Sequence, residues 1–454
     1  MSFDPKVKDA GRHLCVVGVQ WGDEGKGKIV DALSRDFDAV VRYQGGANAG
    51  HTVLIEEDEF VFHLIPSGIL EGKTCVLGNG VVIDMKTFID ELDGLKARGL
   101  DFEDRIWVSE RAHLVMPYHR VFDRLQDVSS NGARIGTTLR GIGPCYTDKV
   151  ARRGIRAADL VNFDRFETLL HENLEQVNRV LKDLYNEEAI EAGPILDEFR
   201  GYADRIGSRV CNIADLLREF DARGEGILFE GAQGLLLDID LGSYPYVTSS
   251  NTSFLGLGPG TGFSPRQVGT VTGITKAYAT RVGEGPFPTE LEDDTGEQLR
   301  KAGHEFGATT GRPRRCGWLD LYALRYSIAV GDIDNLVITK LDVLDDFDSI
   351  RVGVGYEGVG DIRSGGAGFP LDLDKDLRPI YVELPGWKRS TADCRAFTEL
   401  PTEAQDYLQF IVDAVQCPVS ILSVGKERSQ LVRMDPWLEV KGPIPEFPVE
   451  SKIG

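Results

Sequence analysis

The stretch Leu14-Cys-Val-Val-Gly-Val-Gln-Trp-Gly-Asp-Glu-Gly-Lys-Gly-Lys28 limits what this chain can fold into more than any other. Leu14 to Val17 is an apolar, β-branched run that suits a buried strand. A loop holding Gly18, Gly22, Gly25 and Gly27 follows, and Lys28-Ile-Val-Asp-Ala-Leu33 resumes at helical spacing. A strand, a glycine loop and a helix in that order converge backbone N–H groups on an anion at a helix N-terminus, and Lys26 adds a point charge. The loop departs from the common phosphate-binding pattern, which spaces its glycines more closely and follows its lysine with Ser or Thr. Here six residues separate Gly18 from Gly25, and Gly27 follows Lys26. Asp23 and Glu24 also lie inside the loop, where two carboxylates would repel a triphosphate. A metal ion on Asp23, or use of Asp23 as a base toward a second substrate, would offset that repulsion.

Nothing else in the chain breaks it into separate units. Its 454 residues are long enough for about three domains on length alone. No internal repeat, low-complexity tract or flexible linker divides them, so a single large α/β unit over 1–454 is expected. Residues 1–13 form an N-terminal extension and about 160–225 a helical insertion. No apolar run approaches the roughly 18 residues of a membrane span, and the N-terminus lacks the apolar core of a secretory signal. A cytoplasmic protein without membrane partners is expected. The seven cysteines are scattered without a Cys-x-x-Cys pair, which suits reduced thiols. A formal net charge of −21 disfavours nucleic acid as a partner. Against that acidity, Lys149, Arg152, Arg153 and Arg156 stand out, as do Arg312, Arg314 and Arg315. Both clusters are candidate anion sites.

A second short strand at 39–43 leads into another glycine-rich loop, Gln44-Gly-Gly-Ala-Asn-Ala-Gly-His-Thr52. Loops that follow strands in α/β sheets collect at one edge, so His51 can face Asp23 across a common site. Set in a loop, His51 has no helical or strand face to pack on, which makes it a candidate catalytic group. Further strands are expected at 74–77, 106–109, 227–230, 268–274, 335–339, 350–354, 379–384 and 418–424. Helical spacing is clearest from Leu170 to Leu184 and at Phe199, Tyr202 and Ile206. The fold class is therefore α/β: a phosphate-loop-like, mostly parallel central sheet flanked by helices.

Four later loops carry polar groups. Ile135-Gly-Thr-Thr-Leu-Arg-Gly-Ile-Gly-Pro144, running into Lys149 and Arg152, offers hydroxyls and guanidinium suited to a monophosphate. Gln233 and Thr248 offer neutral hydrogen bonds for a base or sugar. Phe306-Gly-Ala-Thr-Thr-Gly-Arg-Pro-Arg-Arg315 could clamp a dicarboxylate or a phosphate. Ile338-Thr-Lys-Leu-Asp342 is similar to the base-reading loop of GTP-binding proteins, where one carboxylate accepts from both N1–H and the 2-amino group of guanine. Lys340 could lie over the purine ring by its alkyl stem, and Ser423-Val-Gly425 could close the pocket.

Trp21-Gly-Asp-Glu-Gly-Lys-Gly-Lys28, Gly45-Gly-Ala-Asn-Ala-Gly-His-Thr52, Gly141-Ile-Gly-Pro144, Phe229-Glu-Gly-Ala-Gln-Gly234 and Thr309-Thr-Gly-Arg312 together resemble the adenylosuccinate synthetase family. The likeness runs from about Leu14 to the end of the chain. It implies a GTP-dependent ligase joining IMP to L-aspartate, with Asp23 and His51 catalytic and one Mg²⁺ per subunit on Asp23 and the Gly50 carbonyl. IMP is then expected at Asp23, Glu24, Gly25, Lys26, Asn48, Ala49, Gly50, His51, Thr138, Gln233, Thr248 and Arg312, with Arg152 reaching in from the second subunit of a homodimer. GTP is expected at Gly22, Asp23, Glu24, Gly25, Lys26, Gly27, Lys28, Arg314, Lys340, Leu341, Asp342, Ser423, Val424 and Gly425. Aspartate is expected at Ala308, Thr309, Thr310, Gly311 and Arg312. Leu139 and Pro313 depart from the family pattern, as does the N-terminal extension, and none of these removes a catalytic group. Two other readings share parts of the site: a GTP-driven switch, and a related synthetase acting on a guanine nucleotide.

Overall fold

The computed structural model describes residues 12–55, 58–129, 137–307, 311, 313–364 and 377–447, with the backbone alone at 51, 52, 54, 55, 58, 59 and 127–129. An eleven-stranded sheet forms its centre. From one edge to the other it runs Leu431–Leu438, Val419–Ser423, Asn335–Thr339, Val268–Lys276, His13–Gly18 (β1), Ile227–Glu230, Ala39–Gly45 (β2), Thr74–Ile83, Ile106–Ser109 and Val210–Cys211, with His113–Leu114 beside Thr74–Ile83. Every pairing in it is parallel except that of the edge strand Leu431–Leu438.

β1 sits in the middle and is buried along its whole length, as a strand covered on both faces must be. Its side chains alternate. Leu14 and Val16 pack with Ile29, Val30 and Leu33 of the helix Lys26–Ser34 (α1), whereas Cys15 and Val17 enter the larger core on the opposite face. The connection from β1 through α1 skips one position, because Ile227–Glu230 lies between β1 and β2. That arrangement opens a crevice at the carboxyl ends of the strands, where α/β sheets bind ligands.

Two sequence expectations change here. His51 is not in a loop: it opens the strand His51–Ile55, which pairs antiparallel with Asp58–Phe62, His51 opposite Phe62. The run His-Thr-Val-Leu-Ile has the β-branched character of a strand, and the glycines before it mask that signal. Several strands are also longer than expected, Thr74–Ile83 most of all, because Gly78 and Gly80 lie against the backbone of Tyr43 and Gly260 where a side chain would not fit.

The helices Ala157–Val161, Phe163–Val180, Ala192–Ile206 and Ile213–Arg223 fill the stretch expected to be helical. Phe166, Leu170, Leu174, Val177 and Phe199 share a core with Phe88 and Ile106, near one edge of the sheet. His113 lies under this region, 5% exposed, with no partner on Nδ1 among the described residues. Burial first, then Lys149 and Arg156, push its pKa down to about 4 against the opposing charge of Asp159. A histidine depressed in this way protonates first in the unfolded chain. Its contribution is therefore complete above its unfolded value and is lost as pH falls through about 4. The total is at most ~3 kcal/mol. Urea unfolding at pH 7.5 and pH 5 should show His113→Gln losing less stability on acidification than the native protein. Equal losses would remove His113 as a source of acid sensitivity.

Candidate active site

The loop from Gly18 to Gly25 separates its two acids. Glu24 is turned inward and fully buried; its Oε1 accepts the N–H groups of Gln20 (3.1 Å) and Gly22 (2.9 Å), and its Oε2 lies 2.5 Å from Lys26 Nζ. Added Cβ atoms show how closely the loop wraps this carboxylate: one on Gly18 would stand 2.5 Å from Glu24 Oε2, and one on Gly234 would collide with Gln20 O and Glu24 Oε1. Asp23 instead faces outward, 35% exposed at its side chain and in the left-handed region at φ 57°. Non-glycine residues take that conformation at a cost, and it is concentrated at functional sites. Gly25, at φ 86°, caps α1 and leaves its first N–H groups directed at the crevice. The carboxylate repulsion expected from the sequence is thus halved. Glu24 is neutralised inside the loop and its side chain is not presented to a ligand, while Asp23 remains available.

Across the crevice, Gln233 is also left-handed, at φ 58°. Its Nε2 donates to Asn48 Oδ1 at 3.2 Å, and its buried Oε1 has no partner among the described residues. The structure therefore joins Gln233 and Asn48, expected from the sequence to bind one ligand. Thr248 is half-buried in a turn that Asp238 organises by accepting from the backbone N–H groups of Asp240, Leu241, Thr252 and Ser253. Tyr146, on the helix Ile142–Ala151, donates to Gly80 O at 2.7 Å and accepts from Gly45 N at 3.0 Å, which ties that helix to the second glycine loop. Arg152 ends the helix with φ 64°, exposed, and its side chain has no ion pair among the described residues. Thr138 and Leu139 are exposed. Residues 130–136 lie outside the described part, as do Ala308, Thr309, Thr310 and Arg312; of the expected aspartate segment only Gly311 is described.

On the other side of α1, Lys28 Nζ donates to Ser423 Oγ (2.8 Å), Gly425 O (2.8 Å) and Gln430 O (3.1 Å). Burial pushes its pKa down to about 8, with Asp342 and Glu427 opposing and Arg395 adding to the fall. Thr339 Oγ1 donates to Glu24 O at 2.6 Å, which brings the segment Lys340-Leu-Asp342 against the glycine loop. Asp342 Oδ1 is buried without a hydrogen-bond partner among the described residues. Burial raises the pKa of this carboxyl, and the charges of Lys340, Lys28 and Lys426 oppose the rise. A buried acceptor left open in this way costs stability unless a ligand completes it.

Sequence reasoning misses the centre that links these parts. Glu305, fully buried, accepts from Lys276 Nζ, Lys340 Nζ and Tyr278 OH on one oxygen and from Arg314 on the other. Arg314 Nε also lies 2.9 Å from Asp23 Oδ2, off the N–H axis, so this contact is an ion pair without an aligned hydrogen bond. The available signal is Lys276 closing an otherwise apolar and hydroxylic strand, a charge that burial on both faces would force to find a partner.

Among the described residues no three His, Cys, Asp or Glu side chains cluster as a metal cage. The Asp23 carboxylate and the Gly50 carbonyl are hard oxygen donors, and both residues are exposed. One carboxylate and one carbonyl fit Mg²⁺, which keeps waters and binds through substrate phosphates rather than in an all-protein cage.

The family model for adenylosuccinate synthetase matches residues 15–432. The chain is 47% identical over 422 residues to the adenylosuccinate synthetase of Thermodesulfovibrio yellowstonii, covering 92% of this chain and 98% of that protein. It is 50% identical over 421 residues to that of Chlorobium chlorochromatii, covering 92% and 96%. Among solved structures, the fully ligated adenylosuccinate synthetase from Plasmodium falciparum is similar with a TM-score of 0.88 and 37% identity, covering 93% of this chain and 100% of that one. A succinoaminodeoxyadenylate synthetase from cyanophage S-2L, bound to dGMP and dATP, shares the fold at a TM-score of 0.59 and 19% identity.

Proposed function

The chain belongs to the adenylosuccinate synthetase family, and from that premise we propose how its residues carry the ligation of IMP and L-aspartate to adenylosuccinate, with GTP converted to GDP and phosphate. The observation that carries this reading is the outward Asp23 carboxylate on a phosphate-type loop whose other acid, Glu24, is turned in. A phosphate loop needs no exposed carboxylate to hold GTP, but a kinase-like step on a lactam does.

The C6 oxygen of IMP is a poor leaving group toward an amine. Asp23 takes the proton from N1, which makes O6 nucleophilic; O6 attacks the γ-phosphorus and the bond to the GDP oxygen breaks. His51 donates a hydrogen bond to the phosphoryl group as charge builds there. The aspartate amine then attacks C6, and phosphate departs with the C6–O bond. Asp23 and the Gly50 carbonyl would hold Mg²⁺, which when bound would supply positive charge to the phosphoryl oxygens. Asn48, Thr138, Gln233 and Thr248 orient IMP, and Gly25 to Lys28 hold the GTP phosphates. Lys340, Asp342 and Ser423 to Gly425 hold guanine. Thr309, Thr310 and Arg312 hold the aspartate carboxylates. Arg314, given to guanosine by the sequence, also orients Asp23 in the free protein.

The test is direct. Enzyme, IMP, aspartate, GTP and Mg²⁺ should form adenylosuccinate, read by its absorbance change, and omission of IMP or aspartate should stop net phosphate release. Phosphate release that continues without them would replace the ligase reading with a GTP-driven switch.

A homodimer in the cytoplasm completes the proposal. No helix among the described residues is long and apolar enough to cross a membrane. The exposed Arg152, held left-handed at a helix end, serves the neighbouring subunit's IMP. Arg152→Ala and Asp23→Asn homodimers are each defective at both sites. In a mixed dimer, one site joins an intact Asp23 to an Arg152 donated by the other chain. Activity should recover to at most about a quarter of the native value on statistical exchange. No recovery despite demonstrated exchange would put Arg152 in its own subunit's site or outside it.

A further inference from the structure

We propose that Glu305 is a positioning residue for the ligation, a buried carboxylate that holds the base-reading lysine, the arginine beside Asp23 and the root of the aspartate-binding loop in one geometry. The proposal rests on the roles given above to Lys340, Asp342 and the segment 308–312.

Among the described residues, the side-chain donors to Glu305 come from three parts of the chain. Lys276 ends the strand beside β1, and its Nζ lies 2.8 Å from Oε1. Tyr278, two residues on, donates to the same oxygen at 2.5 Å. Lys340 Nζ, from the base-reading loop, reaches it at 2.8 Å and also donates to Gly303 O at 2.7 Å. Arg314 Nη1 donates to Oε2 at 2.8 Å. Lys340 is held at φ 58°, so its side-chain anchor and its strained backbone fix the residue before Asp342 from two directions.

Glu305 grips Arg314 a second time, since Arg314 N donates to Glu305 O at 2.9 Å and Phe306 bridges Pro313. These contacts bring Glu305 and Phe306 together with Pro313 and Arg314, and the expected aspartate-binding residues lie between the two pairs in the sequence. Lys276 and Tyr278 fix the carboxylate to the central sheet, and Lys340 and Arg314 pass that position on to the substrate segments. Burial would raise the Glu305 carboxyl, but the charges of Lys276, Lys340 and Arg314 outweigh it and hold the group ionised, well below the usual carboxylate range.

A group that only stabilises the fold would, when weakened, lower the amount of active enzyme and leave Michaelis constants alone. A positioning group changes them selectively. Glu305→Gln should raise KM for GTP and for aspartate about tenfold each while KM for IMP stays within about twofold. Tyr278→Phe removes one neutral donor and no charge, and should show the same selectivity at about two- to threefold. Unchanged KM values for GTP and aspartate in folded Glu305→Gln would overturn the proposal. If that variant does not fold, unchanged values in Tyr278→Phe would do so. Asp342→Asn is measured in parallel. If it retains GTP preference, the guanine reading fails, and Glu305 is then decided by the KM for aspartate alone.

Discussion

Asp23→Asn should fold, bind GTP and turn over about 10²- to 10⁴-fold more slowly than the native protein. The amide has the shape of the carboxylate but cannot take the N1 proton of IMP. Its effect on the fold should be small, because Asp23 is partly exposed and its only ion-pair partner among the described residues, Arg314, keeps its bonds to Glu305. Arg314 loses an ion pair rather than its place. The comparison is kcat under saturating substrates against the dissociation constant of a fluorescent GTP analogue, with circular dichroism confirming the fold. Turnover near the native rate would remove Asp23 as the base. A rise in the dissociation constant that matched the fall in rate would make it a ligand for the nucleotide's metal and no more.

For Asp342→Asn the expected outcome is a change of nucleotide rather than a loss of chemistry. Asp342 Oδ1 is buried and unpartnered among the described residues, and guanine presents N1–H and a 2-amino group that one carboxylate can accept together. Asparagine replaces one of those acceptors with a donor. Hydrogen bonds to charged groups contribute about 1.5 to 3 kcal/mol, so use of GTP should weaken by roughly one to two orders of magnitude. Xanthosine triphosphate has a carbonyl in place of the 2-amino group and complements the new amide, so its KM should fall. Both nucleotides are measured in both proteins with IMP and aspartate saturating. GTP preference that survives the substitution would move base recognition elsewhere and leave the roles of Asp23 and His51 standing. Against the rise that burial causes, the charges of Lys340, Lys28 and Lys426 lower the pKa of the Asp342 carboxyl, so the variant also tests whether guanine recognition needs the carboxylate's charge or only its geometry.

The parallel sheet and the loop that opens the site are legible in the sequence because their signals are local. An apolar run followed by spaced glycines and a helical repeat requires the same structure wherever it sits in a chain. The family resemblance is legible for the same reason, since each of its motifs is contiguous. What the sequence hides depends on distance. Glu24 reads as a second repelling charge beside Asp23, and only the folded loop shows that the N–H groups of Gln20 and Gly22 and the lysine two residues on consume it. Glu305 meets Lys276, Tyr278, Arg314 and Lys340 through tertiary packing that no spacing rule connects. His51 fails differently: the glycines before it speak for a loop more loudly than the β-branched residues after it speak for a strand.

The central position of β1 has a consequence for how the molecule is made. Leu14 pairs with Leu228 on one side and Thr270 on the other, so among the described strands of the sheet β1 waits longest for a neighbour to be made. At about 5 to 20 residues per second, Leu14 to Val17 wait on the order of ten seconds or more for either partner. Throughout that interval they expose an apolar strand with two open edges, the form of chain most prone to pair with another copy. The nascent protein is therefore most vulnerable at the strand that leads into its glycine loop, and a molecular chaperone would be expected to act on that strand before its partners are made.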